Sequence, residues 1–318
     1  MLPTAAAIYP WRPWLKAARP AAHGMIALPL LWGQALAIVH AQTFTWTWFL
    51  VAHLFGVLCQ VFSLYLNDFA DERLDRSNQT YWLSGGSRVI PDGQLLGQQL
   101  YRAAIGCIGL CLLLSVLSMF GGRELMPLIA LVAIALGWGY SLPPVRASYR
   151  GHGELLQAVS CGLVLPLTGY YLQSDSIDAF PWFSLLPVGL VFFASNIVTA
   201  LPDLSSDRQG NKRSFPVRYG VQQARRCVLM LSGIAGLLAT PQIMGHLKDA
   251  WAAALVSGPT LVLLYIASLT PRSETVDPFA SSEHFPDLKR FMAMTISSHA
   301  WLLLAWTVLL FWHGAQDY

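Results

Sequence analysis

Apolar residues run along this chain in blocks of about twenty, separated by short polar stretches, with no strand-like alternation. A helix that crosses the hydrocarbon core of a bilayer needs about 20 mostly apolar residues. Nine blocks qualify, near 21–41, 46–66, 100–120, 125–143, 154–173, 181–202, 223–243, 250–269 and 291–313. Together they use most of the 318 residues, so no separate soluble domain fits, and one domain over residues 1–318 is expected. The pattern predicts an all-α integral membrane protein with nine transmembrane helices.

Composition agrees. The chain is 55% hydrophobic and 12% charged, whereas a soluble domain carries about 25% charged residues. The segment WRPWLKAARP before the first block lacks the short apolar core and small-residue cleavage site of a signal peptide. It is expected to stay on the protein as an interfacial segment, with Trp11 and Trp14 at the headgroup level. With nine spans and a cytoplasmic N-terminus, only Arg123 and Lys248 of the 20 Lys and Arg fall outside, a strong positive-inside bias. The net charge of +3 therefore marks topology and gives no indication of nucleic acid. Cys59, Cys107, Cys111, Cys161 and Cys227 lie in or beside spans without paired spacing and read as small buried hydrophobes.

Two polar connections on the inner face carry candidate chemistry. The first follows span two as SLYLNDFADERLDR, the second follows span six as SNIVTALPDLSSDRQGNKRSFPVRYG. In a helix Asp68, Asp71 and Asp75 form one acidic stripe with Asn67 at its edge, and Asp203 and Asp207 make an i, i+4 pair. Like charges so spaced destabilise a helix by about 0.2–0.5 kcal/mol per pair, and a carboxylate near the bilayer costs several-fold more. Something should offset that, and a bound cation is the natural candidate. Mg²⁺ takes oxygen ligands and commonly uses one or two carboxylates plus substrate phosphates. Arg88, Arg146, Arg150, Lys212 and Arg213 lie on the same side, available to a phosphate that carboxylates alone would repel. The sum points to a metal-plus-diphosphate site at the cytoplasmic membrane surface, with a hydrocarbon-tailed diphosphate explaining why the site opens onto lipid. The position of the acid clusters, at the inner ends of spans two and six, also suggests a duplicated helix-bundle unit.

At these residues the chain resembles the UbiA superfamily of intramembrane prenyltransferases. Asn67, Asp68, Asp71 and Asp75 match its first motif, and Asp203, Asp207, Lys212, Arg213 and the VRYG at 217–220 match its second. YSLPPVRASYRGHGELL resembles the family's Tyr-Ser-x-Pro-Pro segment, which gives Tyr140 and Arg146 functional positions. SGGSRVIPDGQL, LPLTGYYLQ and LPDLSSD look most similar to the 1,4-dihydroxy-2-naphthoate polyprenyltransferases of menaquinone synthesis. The second motif departs from the pattern at Gly210-Asn211-Lys212, where the glycine is shifted by one, at Ser214 in place of Thr, and at Pro202, where many relatives carry Arg.

The resemblance implies a helix bundle around a central cavity, capped by two Asp-rich cytoplasmic loops. It implies that Asp68, Asp71, Asp75, Asp203 and Asp207 hold Mg²⁺, with Asn67 and Asn196 orienting or ligating. Arg88, Arg146, Arg150, Lys212 and Arg213 would meet the diphosphate of a polyprenyl donor, and Tyr140 would face the allylic cation or an aromatic acceptor. Glu72 lies outside the pattern. No obligate protein partner is implied. The same motifs serve other acceptors, such as benzoates or homogentisate, and UbiA-type terpene cyclases. A secondary transporter would instead place its acids near the bilayer midplane. Loop 67–99, with Gly85-Gly86 and the turn Pro91-Asp92-Gly93, is a candidate lid that keeps water out. His23, His53 and His299 read as hydrogen-bonded bundle residues; Glu154 reads first as an acid favoured at a helix N-terminus and second as an acceptor contact.

Overall fold

A computed structural model describes residues 10–77, 86–271 and 285–316. Among them all regular structure is helical. Gly85 of the candidate lid, Arg272 and most of the loop before the last span lie outside the described residues.

Helix α1 (Arg12–Ala18) has Pro13 in its first turn and stops where Arg19 turns left-handed at φ 45°; a 3₁₀ turn, Pro20–His23, then leads into α2 (Gly24–Ala41). The next pair is α3 (Trp46–Ala70) and the short α4 (Glu72–Ser77). Then follow α5 (Gly97–Phe120), α6 (Met126–Ser141), α7 (Ala147–Arg150), α8 (Gly153–Val159) and α9 (Leu165–Ser174). The remainder comprises α10 (Leu185–Ala200), α11 (Leu204–Gln209), α12 (Phe215–Tyr219), α13 (Val221–Leu247), α14 (Ala250–Ser268) and α15 (Phe285–Gly314). Eight helical stretches among the described residues are long and apolar enough to cross a bilayer. Large apolar side chains such as Leu50, Phe120, Phe183 and Trp312 point outward from them. The molecule is a multi-pass integral membrane protein.

The block at 125–143 departs from expectation. It yields α6, an apolar helix of 16 residues, which is about 24 Å long at 1.5 Å per residue and short of the ~30 Å core. Its end is set by Pro143 and Pro144. Leu142 is extended at φ −116°, ψ 155°, because the residue before a proline is sterically driven out of the α region. A second proline shapes the next span. Pro166 has no N–H to give the Gly162 carbonyl, and the chain between α8 and α9 widens into a π turn, Ser160–Val164, in which the Leu165 N–H reaches the Ser160 carbonyl.

In a bilayer, helices gain little by burying apolar surface against one another, so close approach through small residues holds them together. Gly33 of α2 rests on the backbone of Pro166, and Gly169 of α9 rests on the backbone of Leu30, so that a methyl group at either position would overlap the facing main chain. Trp32 meets Trp306 edge-on with ring centres 5.1 Å apart in the core between α2 and α15. Several polar side chains within the bundle pair across helices: His299 sits between Ser195 Oγ at 2.7 Å and Ser232 Oγ at 2.6 Å, His53 meets Gln34 at 3.3 Å, and His23 meets Gln60. The five cysteines are free. Trp11 is exposed, but Trp14 packs on Tyr65 and its carbonyl accepts the Tyr65 hydroxyl at 3.0 Å, which fixes α1 to α3.

Candidate active site

Helix α3 carries Asn67 and Asp68 on its last turn and ends at Asp71. The break is slight. The Asp71 N–H still reaches the Asn67 carbonyl at 2.8 Å and the Asp75 N–H the Asp71 carbonyl at 2.9 Å, so the acidic residues keep helical register into α4. The second cluster is built likewise: α10 ends at Ala200, Asp203 precedes α11, and the Asp207 N–H meets the Asp203 carbonyl at 2.7 Å.

Both clusters line one cavity of about 360 Å³. Its polar end holds Asn67, Asp71, Asp75, Asn196, Asp203, Asp207 and Lys212; its apolar part is walled by residues such as Ile26, Phe62, Leu136 and Leu165. Tyr140 lies on the same wall. Lys212 joins the two halves, with Nζ 3.1 Å from Asp71 Oδ2 and 4.0 Å from Asp207 Oδ1. Asn67 Nδ2 donates to Asp71 Oδ2 at 3.1 Å, the Tyr149 hydroxyl to Asp71 Oδ1 at 2.7 Å, and the Ser214 hydroxyl to Asp207 Oδ2 at 2.6 Å. Asn196 Nδ2 donates to the Phe192 carbonyl at 2.8 Å.

Asp68 points elsewhere. It is buried and bound by Arg19 and the Ser87 hydroxyl, and it is not on the cavity wall, whereas Arg19 is. The other predicted basic residues stay off that wall. Arg88 pairs with Asp92 at 3.3 Å, Arg146 stacks 3.6 Å from the centre of the Tyr149 ring, and Arg150 and Arg213 are exposed. Arg19, Tyr149 and Ser87 are the polar partners that the sequence does not single out, and Ser214, legible there only as a departure from the motif, proves to be a direct partner of Asp207. Arg19 was counted only as a topology marker, and nothing local distinguishes it from Lys16, which pairs with Asp92 at 3.0 Å.

The lid is partly visible. Gly93, at φ 67°, closes the turn after Pro91 and Asp92. Gly86, at φ 76°, lies so close to the Asp75 carboxylate that any side chain there would overlap it, so glycine serves both the left-handed backbone and the approach.

The charges are only partly compensated. Burial, reinforced by Asp71 and Asp68, pushes the Asp75 carboxyl up to about 8. Burial also raises Asp207 to about 7, despite the opposing Lys212. Burial disfavours the Lys212 charge, yet Asp71 and Asp207 outweigh it and hold the ammonium well above its ordinary pKa. Among the described residues no three His, Cys, Asp or Glu side chains converge closely enough to enclose a metal. Mg²⁺ does not require such an enclosure: it commonly uses one or two carboxylates and takes its other oxygens from phosphate and water. Asp71, Asp75, Asp203 and Asp207 supply hard oxygen donors around a single space, and two of them already carry excess proton affinity that a cation would relieve.

The fold is shared with a UbiA homolog from Archaeoglobus fulgidus, solved bound to DMAPP and Mg²⁺, at a TM-score of 0.68 and 18% identity over 93% of this chain and 99% of that one. In sequence the chain is 24% identical to the 1,4-dihydroxy-2-naphthoate octaprenyltransferase of Bacillus subtilis, over 61% of each protein, so it spans less than two thirds of that relative's length. It is 26% identical to the enzyme of the same name from Mycobacterium tuberculosis, over 77% of this chain and 85% of that one. The sequence profile of the UbiA prenyltransferase family matches residues 26–285, which include both acid clusters and most of the cavity wall; the chain belongs to the UbiA prenyltransferase family.

Proposed function

We propose that the protein transfers a prenyl group from a polyprenyl diphosphate to an aromatic acceptor, 1,4-dihydroxy-2-naphthoate in quinone synthesis. The observation that carries this reading is the single cavity with facing carboxylates and an ammonium at one end and an apolar wall at the other. The naphthoate transferases among its relatives supply the acceptor.

In this reading Asp71, Asp75, Asp203 and Asp207 hold Mg²⁺, with Asp68 fixing Arg19 at the rim and Asn67 and Asn196 orienting the carboxylates. Bound Mg²⁺ supplies positive charge that favours departure of the diphosphate. Lys212 gives a point charge to the phosphate oxygens, and Arg19 a fork of donors. Arg88, Arg146, Arg150 and Arg213, off the cavity wall, would meet phosphate only at its rim. The Tyr140 face stabilises the allylic cation, and the apolar wall and lid keep water from capturing it. The bundle has nine spans, with α6 as a short ninth. The N-terminus and the mouth of the cavity, capped by the two Asp-bearing loops, face the cytoplasm, and the protein works in the bilayer without an obligate protein partner.

Purified protein with Mg²⁺, a panel of prenyl diphosphates and 1,4-dihydroxy-2-naphthoate, read by mass spectrometry, should yield a prenylated, decarboxylated naphthoquinol. Asp71→Ala and Asp207→Ala should each lower turnover by roughly a hundredfold or more. Full activity in either variant at native expression would refute the site. Release of diphosphate with only a hydrocarbon or alcohol would replace transfer by cyclisation or hydrolysis.

A further inference from the structure

Helix α8 opens with Gly153 and Glu154, and both line the cavity. Glu154 is 7% exposed. Its Oε1 accepts the Phe215 N–H at 2.6 Å; its second oxygen has no hydrogen-bond donor among the described residues. On the same wall stands Ser148, 4% exposed, whose hydroxyl has no partner. The two belong to one patch. A Cβ at Gly153 would sit 3.0 Å from Ser148 Cα and 3.2 Å from Tyr140 Cε2, so the bare glycine lets Ser148 and the Tyr140 ring close over the start of α8.

A buried polar group left unpaired costs the desolvation of that group, and a ligand with matching donor and acceptor recovers the cost. A diphosphate does not match, because Glu154 repels it. A phenolic hydroxyl does: it donates to the carboxylate and accepts from the serine. We propose that Glu154 and Ser148 form the acceptor subsite, gripping a hydroxyl of a hydroxyarene and laying its ring against Tyr140. This rests on the aromatic-transfer reading above and adds which end of the acceptor is recognised. A hydrogen bond to a carboxylate also leaves more electron density on the ring, which favours attack on an allylic cation.

The test uses the full-length protein, Glu154→Gln, Ser148→Ala, and two probes, 1,4-dihydroxy-2-naphthoate and its methyl ethers. The glutamine oxygen can still accept the Phe215 N–H, so the link to the second acid loop survives while the charge is lost. Losing a charged hydrogen bond should raise KM for the free hydroxyarene about tenfold or more, with the donor KM within about twofold of native. The native protein should prefer the hydroxyl over the ether by a similar factor, and each variant should lose much of that preference. A preference intact in both variants would overturn the subsite, as would a donor KM rising in step with the acceptor KM, the mark of a loosened 213–218 segment. A native protein that prenylates no hydroxyarene would remove the parent reading together with this one. A native protein that does so, with the preference untouched in the variants, would remove this one alone.

Discussion

Replacing Lys212 by methionine should make the site bind Mg²⁺ more tightly while it works less well. The ammonium stands 3.1 Å from Asp71 Oδ2 and 4.0 Å from Asp207 Oδ1. At an effective dielectric constant of about 20 those separations correspond to Coulomb attractions of about 5 and about 4 kcal/mol. Desolvation of three buried charges takes back most of this, leaving the ~1.5–3 kcal/mol typical of a hydrogen bond to a charged group. A cation entering between the acid clusters must displace that contact, so its removal should strengthen Mg²⁺ binding by roughly ten- to a hundredfold. The diphosphate meanwhile loses a cationic partner of similar worth, and kcat/KM for the donor should fall by roughly the same factor. Methionine has about the same length as lysine and fills its path, so packing is little disturbed. The assay is Mg²⁺ titration of thermal stability in detergent without diphosphate, paired with steady-state transfer at saturating Mg²⁺. An Mg²⁺ affinity unchanged or weakened in Lys212→Met would refute the idea that Asp71 and Asp207 hold the metal, whatever happens to turnover.

Two further outcomes follow from the geometry. Asp207 at about 7 and Asp75 at about 8 both lie above the ordinary carboxyl value of 3.8, so the folded protein retains protons that the unfolded chain has released. The stability they contribute is complete below about pH 4 and lost as pH rises through 7 and 8. Melting of the metal-free protein in detergent should therefore fall between roughly pH 5 and 8.5, and Mg²⁺ should restore it most at the alkaline end; a flat profile unaffected by Mg²⁺ would contradict the charge balance described. Separately, Gly33→Val should push α2 away from α9, because its side chain would overlap the Pro166 backbone. A loss of about 1–3 kcal/mol or more is expected for such overpacking, seen as a drop in Tm, and an unchanged Tm would mean that the crossing is not tight.

What could be read from the sequence was what the bilayer or the helix repeat imposes locally. Block length gives spans because the hydrocarbon thickness is fixed, and at 125–143 it marks the helix but not its early end, because apolar content does not see the steric demand of Pro143 on Leu142. The spacing of Asp68, Asp71 and Asp75 survived the end of α3 since the backbone bonds into α4 continue. Which acids face inward was not legible. Asp68 shares the stripe, yet it is turned to Arg19, 49 positions away in sequence. The charges of Arg150 and Arg213 gave no direction, and both point out.

The same distinction explains why the centre of the site lies at Lys212 and not among the more numerous arginines. A cation can hold two carboxylate clusters together only where the fold brings both within reach, and 141 residues separate Lys212 from Asp71. The short α11 and the turn after it bring the Lys212 N–H to the Asp207 carbonyl at 2.8 Å, which anchors the backbone from which the side chain reaches Asp71. The shifted glycine is part of this turn: Gly210 packs against the tip of the Leu74 side chain of α4, and Asn211 takes the left-handed conformation at φ 56°. An Asn tolerates that conformation better than most residues, so the extra residue between Gly210 and Lys212 is absorbed by the backbone and the lysine still reaches the other half of the bundle.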